Sequence, residues 1–234
     1  MIDFFDAFGA AFALIVGMDR DLAEIVWLSL RVSLTAVAFA ALIGFPLGAA
    51  IAISRFPGRQ AIVVALNSLM GLPPVVVGLI VFLLLSRAGP FGVLGLLFTP
   101  TAMVIAQTIL ITPIIAALAR QTVEDLLTEY DEQLRSLGAG PVTTLQTLLW
   151  DGRFRMLTTL LAGFGRATAE VGAVMIVGGN IDHVTRVMTT AIALETSKGN
   201  LSLALALGLV LLALSLAVNG AVGLLRAIAG GAAR

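Results

Sequence analysis

The chain has no cysteine, one histidine (His183) and one lysine (Lys198). The first absence removes disulfides, thiol chemistry and thiolate metal sites. A single imidazole cannot build a histidine cluster, and no G-x-x-x-x-G-K-[ST] phosphate loop is present. Charge is scarce as well: Asp, Glu, Lys and Arg make up 12% of the residues, against about 25% in an ordinary soluble domain. The formal net charge is zero and there is no long basic run, which argues against nucleic acid as a partner. The N-terminus carries Asp3 and Asp6 without a basic region, a poor signal peptide. What fills the 234 residues is apolar: 59% hydrophobic side chains, with a mean hydropathy of +1.05. This is the composition of an integral membrane protein, and 24 glycines suit helices that pack closely in lipid.

In chain order, residues 1–23 form a lead-in with Phe4, Phe5, Phe8 and Phe12 near helical spacing, which predicts a short amphipathic helix at the membrane surface or a plain helical approach. Five apolar stretches follow, at about 24–53, 61–85, 101–119, 156–179 and 201–225, each long enough to cross a bilayer. Together they place a transmembrane domain over 24–228, with a short tail at 229–234. The spans are not uniform. The second contains Ser68 and the breaker Pro73–Pro74. The third carries Gln107, Thr108 and Thr112 ahead of Pro113. Irregular backbone and polar groups at membrane depth belong to helix interfaces or water-lined cavities, so Ser68, Gln107, Thr108 and Thr112 are candidates for a pore lining. The fourth span holds Arg166 and Glu170, four residues apart on one helix face, a pairing distance. Two ionisable groups in a span mark either a packing pair or a gate.

Residues 120–155 interrupt the oily chain. They hold four of the fourteen basic residues and six of the fourteen acidic ones. The pattern reads as a helix over 122–137, a break at Gly138 and Gly140–Pro141, and a second helix over 142–150. With five spans the termini lie on opposite sides. Grouping the 54–60 loop, residues 120–155 and the C-terminus collects eight basic residues against four on the other side. The positive-inside rule then predicts an outside N-terminus and a cytoplasmic 120–155 segment.

Around this segment the chain resembles the permease subunits of bacterial ABC importers, whose coupling segment carries E-A-A-x-x-x-G. Glu132 and Gly138 stand at that spacing, while Gln133 and Leu134 replace the two alanines and Trp150–Asp151 stand where Leu-Pro is usual. The stretch 165–181, GRATAEVGAVMIVGGNI, resembles the R-A-x-x-E-x-G-A-x-x-x-x-x-G-N-I signature of molybdate- and tungstate-type permeases, and TAIALETSKGN at 190–200 fits the same group. Over nearly its whole length the chain is most similar to the tungstate permease branch.

The resemblance implies an all-α type I ABC importer permease fold with five transmembrane helices and a cytoplasmic coupling helix between spans three and four. It implies a homodimeric pore in the bacterial cytoplasmic membrane, two ATP-binding subunits beneath it, and an extracytoplasmic oxyanion-binding protein. Glu132, Leu137, Gly138, Ala139, Gly140 and Pro141 would dock on the ATPase. ATP and magnesium would be bound by that partner, leaving this chain without a cofactor or catalytic role. The other readings are a molybdate or sulfate permease, a secondary transporter, for which no internal repeat is visible, and a membrane enzyme, for which no catalytic constellation is visible.

Overall fold

A computed structural model describes residues 4–232; the first three residues of the lead-in and the last two of the tail lie outside the described residues, as do the side chains of Phe4, Phe5, Arg135, Arg226 and residues 228–232. Among the described residues the fold is entirely helical: α1 (Phe4–Val16), α2 (Arg20–Ile53), α3 (Arg59–Leu69), α4 (Pro74–Leu85), α5 (Pro100–Ser136), α6 (Pro141–Asp151), α7 (Arg153–Thr168), α8 (Gly172–Gly178), α9 (Met188–Lys198) and α10 (Leu201–Ala232), with a 3-10 turn at Gly92–Leu94.

Local chemistry sets many of the boundaries. The Asp19 carboxylate accepts the Leu22 N–H at 3.1 Å and so caps α2. Pro100 opens α5 behind Thr99, and Pro74 and Pro141 open α4 and α6, where a missing N–H costs nothing. Gly58, with φ +88°, turns the chain into α3.

Among the described residues three helices are long and apolar enough to cross a membrane, within Arg20–Ile53, Pro100–Leu134 and Leu201–Leu225. Two sharply bent pairs, α3 with α4 and α7 with α8, raise the number to five if each counts as one span. The stretches read from hydropathy at 61–85 and 156–179 are therefore each two helices, broken at residues 70–73 and 169–171. The third stretch and the charged helix after it form one helix, α5, of 37 residues. At 1.5 Å per residue that is about 55 Å, far more than the roughly 30 Å of hydrocarbon in a bilayer, so part of α5 must leave the membrane.

The chain divides into two compact units. Unit 1 gathers the described residues up to Ala36, Pro73–Gln107 and Gly165–Val218; unit 2 gathers Val37–Leu72, Thr108–Phe164 and the described residues from Asn219 onward. In unit 1, Ala11 of α1 packs with Leu22, Ile25, Met188, Ala191, Ala206 and Leu207. The lead-in helix thus buries Ala7 and Ala11 and leaves Phe12 exposed. Gly78 of α4 lies against α8, where an added Cβ would stand 2.8 Å from the Ala173 Cα. In unit 2, Ala49, Ala52, Ala119, Val123, Leu126, Leu148 and Met156 form the core.

Helices in lipid gain nothing from hiding apolar surface from one another, so close approach through small residues has to supply the contact. Gly44 and Gly48 of α2 provide it against α5: an added Cβ would stand 2.9 Å from Ile115 Cγ2 at the first and 2.2 Å from the Ala116 carbonyl oxygen at the second. Large apolar side chains meanwhile point outward, among them Leu79, Ile80 and Leu83 of α4 and Leu212, Leu216 and Leu224 of α10. Such surface is unusual in water and ordinary in a bilayer.

Candidate functional site

In unit 1 the polar groups converge on the break between α7 and α8. Arg166 Nη1 donates to Glu170 Oε2 at 2.6 Å, so the pair expected from its spacing forms. The Glu170 side chain is only 3% exposed and Arg166 36%. The other carboxylate oxygen accepts the Ala173 N–H at 3.1 Å, and the Glu170 carbonyl accepts the Thr189 hydroxyl at 2.8 Å. One residue therefore pairs with α7, caps α8 and anchors α9. Gln107 Nε2 donates to the Ala167 carbonyl at 3.1 Å, which also accepts the Glu170 N–H at 3.2 Å where α7 ends. Ser29 accepts the Met188 N–H at 2.7 Å while donating to Ile25. Ser29, Ser33, Gln107, Thr168, Glu170 and Thr189 surround a void of about 10 Å³, near the size of one water. This is a braced joint with room for no more than about one water.

The signature residues that follow have a backbone reason. Gly179 and Asn180 close α8 with φ of +73° and +50°, the left-handed region that glycine and asparagine tolerate. Thr185 locks the turn, donating to the Gly178 carbonyl at 2.6 Å and accepting the Ile181 N–H at 2.9 Å.

Near the start of α2, His183 Nδ1 lies 3.0 Å from Glu24 Oε2, beside Asp182, Asp21 and Arg186. The hydrogen bond to Glu24, then the charge of Asp182, hold the imidazole pKa above its ordinary value of 6.5. A raised folded-state pKa means that the pair's contribution is present below the unfolded value and is lost as pH rises through the raised one. With one histidine in the chain, NMR reads the midpoint without assignment: it should lie above 6.5 and move back in Glu24→Gln. A midpoint unchanged by that substitution would show that the pair does not form.

Unit 2 carries the charged turn. Gly138, with φ +68°, ends α5 in a Schellman arrangement, its neighbour Ala139 donating to the Leu134 carbonyl at 2.9 Å. Gly140 and Pro141 then start α6. Leu148 is fully buried and Leu134, Leu145 and Leu149 pack against the same core, whereas Leu137 (81%), Val142 (68%) and Trp150 (73%) stand in the open. Glu132 is exposed as well. The turn is a partly apolar knuckle packed on the unit 2 core. Arg153 sits over the rings of Trp150 and Phe154 at 5.2 and 4.9 Å.

The remaining pore candidates of unit 2 are modest. Ser68 donates to Val64 and Thr112 to Thr108, each within its own helix. Sequence reasoning missed two features. Arg59 and Arg120 both bond Glu124, and Arg59 Nε also donates to the Ile51 carbonyl at 2.9 Å, tying the 54–60 loop to α5. The other is the contact made by Gly44 and Gly48, whose small-x-x-x-small spacing is a readable signal. Among the described residues no group of three or more His, Asp or Glu side chains is placed to hold a metal ion.

Residues 44–227 match the family model described as binding-protein-dependent transport system inner membrane component. The chain is 42% identical to the tungstate uptake system permease protein TupB of Peptoclostridium acidaminophilum, over 93% of this chain and 95% of that one. It is 41% identical to a probable anion ABC transporter permease protein of Haloferax volcanii, over 85% and 88% of the two chains. Among solved structures, a chain of the MetNI methionine ABC transporter in inward-facing conformations superposes with a TM-score of 0.68 at 18% identity, covering 91% of this chain and 98% of that one.

Proposed function

The chain belongs to the family of binding-protein-dependent transport system inner membrane components, and from that membership we propose that it is the transmembrane subunit of an ATP-driven importer of tungstate or a related tetrahedral oxyanion. The observation that carries the substrate class is the likeness, over nearly full length, to a tungstate permease and to an anion permease. The 165–181 signature supports it, since its Arg166, Glu170, Gly179 and Asn180 build the joint between α7, α8 and α9.

In this reading each bent pair is one span, giving five, and two copies of the chain form the pore. The N-terminus lies outside and residues 120–155 lie in the cytoplasm. The knuckle at Glu132, Leu137, Gly138, Ala139, Gly140 and Pro141 docks on an ATP-binding subunit, with Leu137 and Val142 as apolar anchors. Closure of the ATPase dimer draws the two knuckles together and alternates access across the membrane. The chain itself does no covalent chemistry. A binding protein outside selects the anion, and the pore needs only weak polar contacts, because tight ones would slow release. Arg166 and Glu170 neutralise each other and act as a packing or gating pair; Ser68, Thr108 and Thr112 remain the lining candidates of unit 2.

Two experiments test the reading. ATP-dependent transport of labelled tungstate by the permease reconstituted with its ATPase and binding protein should be competed by molybdate more than by sulfate. Transport that needs no ATPase subunit would overturn the importer assignment. Gly138→Arg should also uncouple the complex. No atom lies within 4 Å of the added Cβ, so the knuckle's surface changes while the core does not. The left-handed backbone at Gly138 adds about 1 kcal/mol of local strain. Membrane insertion should be near normal, with loss of ATPase co-purification and of transport. Retention of both would show that the knuckle is not the dock.

A further inference from the structure

Across a groove of about 470 Å³ in unit 2, Gln121, Thr122 and Asp125 on α5 face Arg155, Thr158 and Thr159 on α7. That volume falls within the roughly 300–1,000 Å³ of small-molecule sites. The lining stands out against its surroundings: Val123 and Leu126, on the same turns of α5, are buried in the apolar core. In the five-span reading Thr158 and Thr159 stand at the start of the fourth span and Gln121, Thr122, Asp125 and Arg155 in the adjoining cytoplasmic segment, so the groove opens at the cytoplasmic end of the helices.

The hydroxyls of the groove are already committed as donors. Thr122 donates to the Leu118 carbonyl at 3.0 Å, Thr158 to Phe154 at 3.1 Å and Thr159 to Arg155 at 3.1 Å. They present lone pairs, not protons, to the space between the helices. Its N–H donors are the Gln121 amide and the Arg155 guanidinium. Arg155 Nη1 stands 3.5 Å from Asp125 Oδ2, with the two side chains 54% and 60% exposed. A close charge-assisted bond would measure about 2.7–2.9 Å. This arginine is therefore held loosely, by one carboxylate, in a solvated groove.

We propose that the groove is a transient anion site on the exit side of the transport path, in which Arg155 turns from Asp125 to two oxygens of a tetrahedral dianion. The planar guanidinium fork matches such a pair of oxygens. Asp125 competes for the same guanidinium and repels the anion, and the threonine lone pairs offer it no donor, so residence is short, as conduction requires. This inference rests on the oxyanion-importer reading and names a positioning cation within it.

The test is ATP-driven tungstate transport by the complete complex, permease with ATPase and binding protein, in phosphatidylcholine proteoliposomes. Arg155→Gln should lower the rate about tenfold, the scale of one charge-assisted hydrogen bond, and Arg155→Lys, which keeps the charge but not the fork, should restore part of it. Asp125→Asn should lower both KM and kcat, because a freed guanidinium holds the anion longer; a purely structural role would not produce that split. Equal loss in the Gln and Lys variants, or wild-type behaviour in all three, overturns the site while leaving the importer reading intact. A wild-type complex that carries no tungstate, molybdate or sulfate overturns both. An Arg155→Gln effect seen only when the vesicles contain phosphatidylglycerol assigns the guanidinium to a lipid phosphate and also overturns the site.

Discussion

Glu170→Ala should leave little folded protein. The substitution removes the partner of Arg166, the acceptor for the Ala173 N–H and with it the cap of α8. Breaking a buried ion pair from one side costs about 3–5 kcal/mol. The lower end applies here, because Arg166 is 36% exposed and can regain water while Glu170, at 3%, is the enclosed member. Loss of the cap adds about 1 kcal/mol. Against a total stability of roughly 5–15 kcal/mol, that is a large share. The measurement is the yield of monodisperse subunit in detergent and its thermal midpoint. Glu170→Gln should fall between, since an amide oxygen still accepts from Ala173. Arg166→Ala should lower assembly and transport without altering which oxyanion is preferred. Wild-type yield and melting for Glu170→Ala would show that the joint is dispensable. A changed anion preference in Arg166→Ala, with the binding protein held constant, would move Arg166 from bracing into selection.

The second large effect is expected at Gly48→Ala. A methyl there would lie 2.2 Å from the Ala116 carbonyl oxygen and 2.9 Å from the Arg120 nitrogen. Both are backbone atoms of α5, so no rotamer change relieves the clash and the two helices must separate. Overpacking of this kind costs about 1–3 kcal/mol, and the top of that range fits a contact with rigid backbone. Better helix propensity returns at most about 1 kcal/mol. Separation would also disturb Ile115 opposite Gly44 and the adjoining core of Ala49, Ala52 and Ala119. Thermal unfolding should report a drop of several degrees, whereas Gly58→Ala, at a position with open space, should lose only what its left-handed backbone costs. Equal melting of Gly48→Ala and wild type would mean that α2 and α5 do not meet at Gly48.

How much of this was legible depended on whether the signal was local. Pro73–Pro74 announced a break, because a ring that blocks the preceding turn acts within its own helix, and the chain does break at residues 70–73. The second break, at 169–171, contains no proline. It persists because the Glu170 side chain caps α8 while Thr189, nineteen residues on, holds the Glu170 carbonyl. Hydropathy ran straight through it, since Ala169, Val171 and Gly172 are as apolar as their neighbours. The reverse error arose in α5, where the shift from apolar to charged residues near Arg120 looks like a boundary although helical hydrogen bonding is indifferent to side-chain polarity. The pairing of Arg166 with Glu170 was readable from an i,i+4 spacing. Gln107 was picked out only as a polar residue in a span, and its bond to Ala167, sixty residues away, was not foreseeable.

By itself the sequence determined that this is a helical membrane protein of the binding-protein-dependent permease family, with a glycine-broken charged segment between apolar stretches. Composition and motif spacing are properties of neighbours along the chain, and they need no folding to be read. Only the tertiary structure decided which polar groups share a site: Glu170 with Gln107, Ser29 and Thr189 in one unit, Arg155 with Asp125 and Gln121 in the other. Such meetings depend on which helix faces are turned toward each other, and that is set by contacts as distant in sequence as Gly48 against Ala116.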